Sequence, residues 1–115
     1  MDLRSRLGIS NPKLLTAVGL MEVNLETPLN AGELAASVDL STRQLERLFQ
    51  IYLKEPPTRY YLRLRLERAR FLLRQSSLPV LDVALATGFV SASHFSKCYR
   101  ETFGRTPTQE RRTEA

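Results

Sequence analysis

The sequence predicts an all-α fold of seven helices, arranged as two helix-turn-helix subdomains joined by a long linker helix. Three observations predict it. Every long segment has helical period and none alternates as a strand. Capping residues and prolines break the chain into short helical lengths. And the stretch from Leu34 to Pro57 returns, changed but recognisable, between Val83 and Pro107.

The elements follow in order. Asn11 caps a first helix with Pro12 at its first position, and Leu14, Val18, Met21 and Leu25 share one face before Thr27-Pro28 stops it. Asn30 caps a second helix, with Glu33 in capping-box position. Ser41 and Gln44 repeat that box at the head of a third helix, which runs to Leu53. Pro56-Pro57 opens the linker helix, about Thr58 to Gln75, with an apolar stripe of Leu62, Leu66, Ala69 and Leu73. Arg59, Arg63, Arg70 and Arg74 line another face of it, and Glu67 is spaced to pair with Arg63 and Arg70. A short helix from Pro79 to Thr87, a turn at Gly88 and a helix from Ser91 to Phe103 come next. Gly104 suits a left-handed C′ position, and Thr106 to Gln109 caps a brief last helix.

The repeat is the strongest internal signal. At an offset of 50, Leu45 matches Phe95, Arg47 matches Lys97, Phe49 matches Tyr99, Leu53 matches Phe103 and Pro57 matches Pro107. Upstream, Leu34-Ala35 matches Val83-Ala84 at an offset of 49, so the second turn holds one extra residue. A small residue (Ala35, Ala84) lets the following helix cross closely. Four residues on, the turn needs a conformation that Gly88 supplies freely and Asp39 tolerates. Buried Leu45, Leu48 and Phe49, or Phe95 and Tyr99, then hold the second helix down and leave its outer face for a DNA major groove. A single pattern of this kind is more often a plain helical hairpin. Two at matching offsets favour duplex DNA. A linker of roughly 18 residues is about 27 Å long, enough to hold two such helices around one turn of DNA, about 34 Å, apart.

Charge agrees. The net charge is +5, and residues 43–74 carry nine basic and three acidic side chains against three and five in residues 1–42. A basic stripe of that kind suits a polyanionic partner. No apolar run is long enough to span a bilayer, and the N-terminus lacks the apolar region of a secretory signal, so a cytoplasmic protein is expected. One histidine and one cysteine (Cys98) offer neither a nucleophile–base pair nor a metal cluster, and there is no glycine-rich phosphate loop; the expectation is no enzyme and no cofactor.

The motifs "LAASVDLSTRQLERLF", "PPTRYYLRLRLERARFLL" and "VALATGFVSASHFSKCYRETFGRTPTQER" resemble the C-terminal DNA-binding domain of AraC/XylS-family bacterial transcription regulators. The resemblance covers about residues 12–112. It implies a first subdomain over 12–55, the linker helix over 57–75 and a second subdomain over 76–112, with both recognition helices (41–53 and 91–103) in successive major grooves. The lead-in "RLGISNPKLLTAVGLME" resembles the subgroup with an amidase-like sensing domain, which includes regulators of arginine and choline-derivative catabolism. On that basis residues 1–11 are expected to be a linker remnant and 113–115 a tail. The chain is therefore expected to be the C-terminal part of a longer protein, a monomer alone, with any dimer contact of the full-length form in the sensing domain. Two positions depart from the family: Lys54 stands where glycine is usual, and Pro79 where a polar cap is common.

For base edges the candidates are Arg43, Glu46 and Arg47 in the first recognition helix and Ser93, His94, Ser96 and Lys97 in the second. Arginine can pair bidentately with guanine and glutamate can accept from cytosine. For phosphates the candidates are Ser41, Thr42, Gln44, Ser91, Arg59, Arg100 and Thr106, as hydroxyl, amide, guanidinium or helix-terminal donors. The second helix presents small side chains, among them Ala92, and is expected to read less. For each residue the competing reading is a solvated helix face. Two other partners compete with duplex DNA as a whole: RNA polymerase, docked through the helices, and RNA. The chain lacks the interleaved aromatic platforms of single-strand readers.

Overall fold

The computed structural model describes Leu3, Arg6 and residues 8–113. Among these residues there is no strand, and seven helices follow residue 11. They are α1 (Pro12–Val23), α2 (Ala31–Ser37), α3 (Thr42–Leu53), α4 (Pro57–Gln75), α5 (Val80–Ala86), α6 (Ala92–Phe103) and α7 (Pro107–Thr113). Residues 1, 2, 4, 5 and 7 of the segment expected to be a linker remnant, and the end of the 113–115 tail, lie outside the described residues. Within the first of these, Ile9 is buried and Arg6 pairs with Glu22 at 3.1 Å. The chain divides into two compact units: Met1–Asn24 with Pro28–Tyr61, and Leu25–Thr27 with Leu62–Ala115.

In the first unit, Asn11 Oδ1 accepts from Leu14 N, and Pro12 occupies the first turn where its missing N–H costs nothing. Leu14, Val18 and Met21 are fully buried with Leu34, Leu45 and Phe49. The helix ends at Val23, earlier than the Thr27-Pro28 stop expected from sequence. Asn24 is the reason: its Nδ2 donates to Leu20 O at 2.8 Å, while its carbonyl accepts from the Tyr61 hydroxyl. That hydroxyl also accepts from Leu29 N at 3.1 Å, so one phenol organises both ends of the connection. Leu25 therefore lies beyond the helix and is half-buried. Leu48, expected inside, is half-buried too. Both predicted capping boxes are formed, Asn30 with Glu33 and Ser41 with Gln44.

The second unit has its own core of Leu66, Ala69, Leu73, Val83, Ala84, Phe89, Phe95 and Tyr99. The predicted apolar stripe of α4 faces inward, with Leu62 only partly covered. Its basic face does not stay together. Arg63 pairs with Glu67 at 3.7 Å, but Arg70 does not. Arg70 lies 3.4 Å and Arg74 2.9 Å from the carboxylate of Glu110 on α7, with Arg105 at 3.5 Å. Glu110 is fully buried and also accepts from the Tyr99 hydroxyl at 2.7 Å. A buried carboxylate gathers counter-charges more strongly than an exposed one, because water no longer screens it. Arg111, a second residue of α7, closes the exit of α4 by donating to Leu73 O and Ser76 O.

Candidate nucleic-acid interface

The two turns are built alike. In the first, Leu40 N reaches back to Ala35 O at 2.9 Å and Asp39 adopts φ 56°. In the second, Phe89 N reaches Ala84 O at 2.9 Å and Gly88 adopts φ 88°. Every bond in the pair recurs at the offset of 49 read from the sequence. The extra residue of the second copy is Val90, which stands 91% exposed between Phe89 and the cap of α6. Ala35 and Ala84 are buried under the following helix, as their small size requires.

Each turn feeds a helix with a buried inner face and a polar outer one. In α3, Leu45 and Phe49 are fully buried, and Phe49 packs edge-on to Tyr60 with ring centroids 5.7 Å apart. Thr42, Arg43, Gln44, Glu46 and Arg47 are all exposed. The Ser41 hydroxyl oxygen accepts from Gln44 N, and Gln44 Oε1 accepts from Ser41 N. This leaves the Ser41 O–H, the Gln44 amide N–H groups and the N–H groups of Thr42 and Arg43 as the outward donors of the first turn. The helix ends at Lys54, which takes the left-handed conformation (φ 62°) that its sequence position raised in question. Its own Nζ donates to Ile51 O at 2.9 Å and covers one terminal carbonyl.

In α6, Phe95 and Tyr99 are fully buried, while Ser93, His94, Lys97 and Arg100 are exposed and Ser96 is half-buried. Ser91 caps the helix by accepting from His94 N at 3.1 Å. The His94 ring meets the Phe89 ring edge-on at 5.6 Å, and its Nε2 lies 3.4 Å from Cys98 Sγ. Burial, with Glu101 nearby, pushes the Cys98 thiol up, so sulfur keeps its proton at neutral pH. Which of the two donates follows from the tautomer of the ring. Ser96, Lys97, Arg100, Glu101 and Thr106 line an open cleft of about 490 Å³ between α6 and the head of α7. Gly104 closes α6 in the left-handed conformation (φ 75°), and Thr106 with Gln109 forms a third reciprocal cap.

The predicted residues thus fall into two groups, one on each unit. Arg43, Glu46, Arg47, Ser41, Thr42, Gln44 and the exposed Arg59 belong to the first, and Ser91, Ser93, His94, Ser96, Lys97, Arg100 and Thr106 to the second. Four further arginines are engaged elsewhere, Arg70, Arg74 and Arg105 with Glu110 and Arg111 with backbone carbonyls. Two residues escaped the sequence reading. Glu110 looks like any helix-surface acid, and Arg65 like one more arginine of a basic helix; only tertiary contacts single them out. Among the described residues no His, Cys, Asp and Glu group of three or more can hold a metal, and no helix is long and apolar enough to cross a membrane.

The helix-turn-helix domain family matches residues 34–113. A crystal structure of a transcriptional regulator with an AraC-type DNA-binding domain, from Chromobacterium violaceum, superposes with a TM-score of 0.86 at 52% identity, over 90% of this chain and 93% of that one. The chain belongs to the AraC-type DNA-binding domain family. A second AraC-like fold, the DNA-binding domain of AdpA solved in complex with a target DNA, matches with a TM-score of 0.84 at 27% identity over 90% of this chain and 93% of that one. Among curated relatives, the transcriptional regulator GbdR of Pseudomonas aeruginosa is 57% identical over 111 residues, 96% of this chain but 30% of GbdR. This AraC-type domain therefore spans less than a third of that relative's length.

Proposed function

We propose that this AraC-type domain binds duplex DNA sequence-specifically, with α3 and α6 each entering a major groove, as the DNA-binding part of a longer metabolite-responsive regulator. The observation that carries the reading is the repeated unit itself. Two helices emerge from matching turns, each pinned by buried aromatic or aliphatic residues and each turning short polar and basic side chains outward.

In α3, Arg43, Glu46 and Arg47 read base edges, while Ser41, Thr42 and Gln44 meet phosphate through donors that the capping box leaves over. In α6, Ser93, His94, Ser96 and Lys97 face the bases, with Ser91, Arg100 and Thr106 on the backbone. Arg59 adds a phosphate contact to the first unit. The first helix is the stronger reader because a guanidinium specifies guanine by two bonds, whereas a serine pairs with any base. Selection from a random duplex pool tests this reading: it is expected to return two unequal elements about ten base pairs apart. A log–log salt slope of about −0.9 for each phosphate contacted should accompany binding. Enrichment of no sequence, with strong binding at low salt, would overturn the claim of specificity.

A contact with RNA polymerase is a second reading. Leu78, Leu81 and Leu85 are 39%, 49% and 46% exposed and lie at helical spacing along α5 and its approach. Transcription assays with Leu81→Ser and DNA affinity measured alongside would separate docking from DNA binding.

A further inference from the structure

Arg65 is the side chain that organises the second turn. From α4, its Nε donates to Thr87 O at 2.8 Å and its Nη2 to Gly88 O at 2.9 Å. The same guanidinium lies over the Phe89 ring, 4.2 Å from the centroid. Three consecutive residues of the turn are thus held by one planar group. A guanidinium can do this because its fork spans two carbonyls while its face stacks on an arene; an ammonium offers a point charge and no face.

The hold extends into α6. The Phe89 ring, 2% exposed, meets His94 edge-on at 5.6 Å and Phe95 at 5.1 Å. Beyond Phe89 the backbone runs through the exposed, extra Val90 before Ser91 starts the helix. One added residue loosens a turn, so side-chain packing must supply the orientation that a shorter connection would impose.

The turn of the first unit is held differently. Its corresponding turn carbonyl, Asp39 O, receives the Lys13 ammonium at 3.5 Å, and Leu40 stands in place of the aromatic ring. The shorter turn there goes directly from Leu40 to the Ser41 cap.

We propose that Arg65 is a positioning residue for DNA reading: it sets the angle at which α6, and His94 in its first turn, meets the groove. The inference rests on the reading of α6 as a groove-entering helix. Arg65 itself need touch no DNA, and its loss weakens one half of the site and spares the other.

The test compares the 115-residue chain with Arg65→Met and Arg65→Lys on a duplex recovered by selection, using hydroxyl-radical footprinting. Both variants are expected to keep protection over the half-site of the first unit and to lose roughly tenfold in affinity over the other half. Arg65→Lys should not rescue, since it restores charge without the fork; it also carries the test if Arg65→Met fails to fold. Backbone amide exchange at Thr87 to Phe89 should quicken, and the His94 ring proton shifts should move as Phe89 loses its stacking partner. Unchanged two-part protection in a folded variant would overturn the proposal. Equal weakening of both halves would also overturn it, by showing a general loss of stability or charge. Wild-type protein that protects one half only would overturn the groove reading of α6 itself, and the proposal with it.

Discussion

The Tyr99 hydroxyl donates a 2.7 Å hydrogen bond to Oε1 of Glu110, a carboxylate with no exposure to solvent. Arg74 donates to the other oxygen at 2.9 Å, and Arg70 and Arg105 complete the surround at 3.4 and 3.5 Å. The bond ties the inner face of a proposed recognition helix to the last helix of the unit. Tyr99→Phe leaves the buried carboxylate one donor short without opening a cavity. A loss of about 1–3 kcal/mol is expected, read from urea unfolding. A loss near zero would mean that the arginines alone satisfy Glu110.

Acid should expose the same cluster. Burial pushes the Glu110 carboxyl up, but the Tyr99 bond and the Arg74 and Arg70 charges outweigh it and hold the group below the ordinary carboxylate range. A depressed carboxyl stabilises the fold at pH values above its unfolded pKa, about 4.3. That contribution fades as pH falls through the folded value. Wild type should therefore lose stability below about pH 4 more steeply than Glu110→Gln, which has no proton to take up there. Unfolding midpoints measured from pH 7 to pH 3 check the difference in slope.

Alkali acts on the partner with the opposite sign. Burial first, then the bond to Glu110, raises Tyr99 above the usual phenol range. In the folded chain the phenol stays protonated where an unfolded one, at about pKa 10, ionises. Stability from this group is complete below about pH 10 and declines above it. Absorbance titration of wild type and Tyr99→Phe checks this: the difference between the two curves, which isolates Tyr99, should rise above the ordinary phenol range.

Lys54 and Gly104 form a matched pair. Both end their helices with positive φ, at 62° and 75°, and a Cβ at Gly104 would meet nothing within 4 Å. Lys54→Gly should thus stabilise by about 1 kcal/mol and Gly104→Ala destabilise by a similar amount. Thermal unfolding of the two variants is the measurement. Opposite shifts are expected, with the first reduced by loss of the Lys54 bond to Ile51 O.

At the proposed interface, Arg43→Ala should cost about 1–3 kcal/mol at one base position and relax preference there. Affinities for the selected duplex and for single-base variants of it give the answer. A uniform loss at every position would assign Arg43 to phosphate.

Much of the architecture was legible because its signals are local. Asn30 with Glu33 and Ser41 with Gln44 announce helix starts within four residues, and Ala35 and Ala84 mark the close crossings that follow. The repeat then paired distant segments by comparison alone. What could not be read depended on partners far along the chain. The α1 terminus moved to Val23 because a tyrosine 37 residues away takes the Asn24 carbonyl. Arg70 turned from the expected Glu67 to Glu110, since helical spacing offers an exposed acid but folding brings a buried one. Leu48 had the pattern of a core residue, yet it is only half-covered.

By itself the sequence determined the helices, their caps, the two turns and the outward side chains of α3 and α6, because each follows from residues within one or two helical turns of each other. Tertiary structure alone decided which arginines remain outward and which are spent inside: Arg65 on the second turn, Arg70 and Arg74 on Glu110, Arg111 on the end of α4. The reason is physical. A guanidinium reaches several ångströms from its backbone, and which acid or carbonyl lies within that reach is set by packing, not by spacing along the chain.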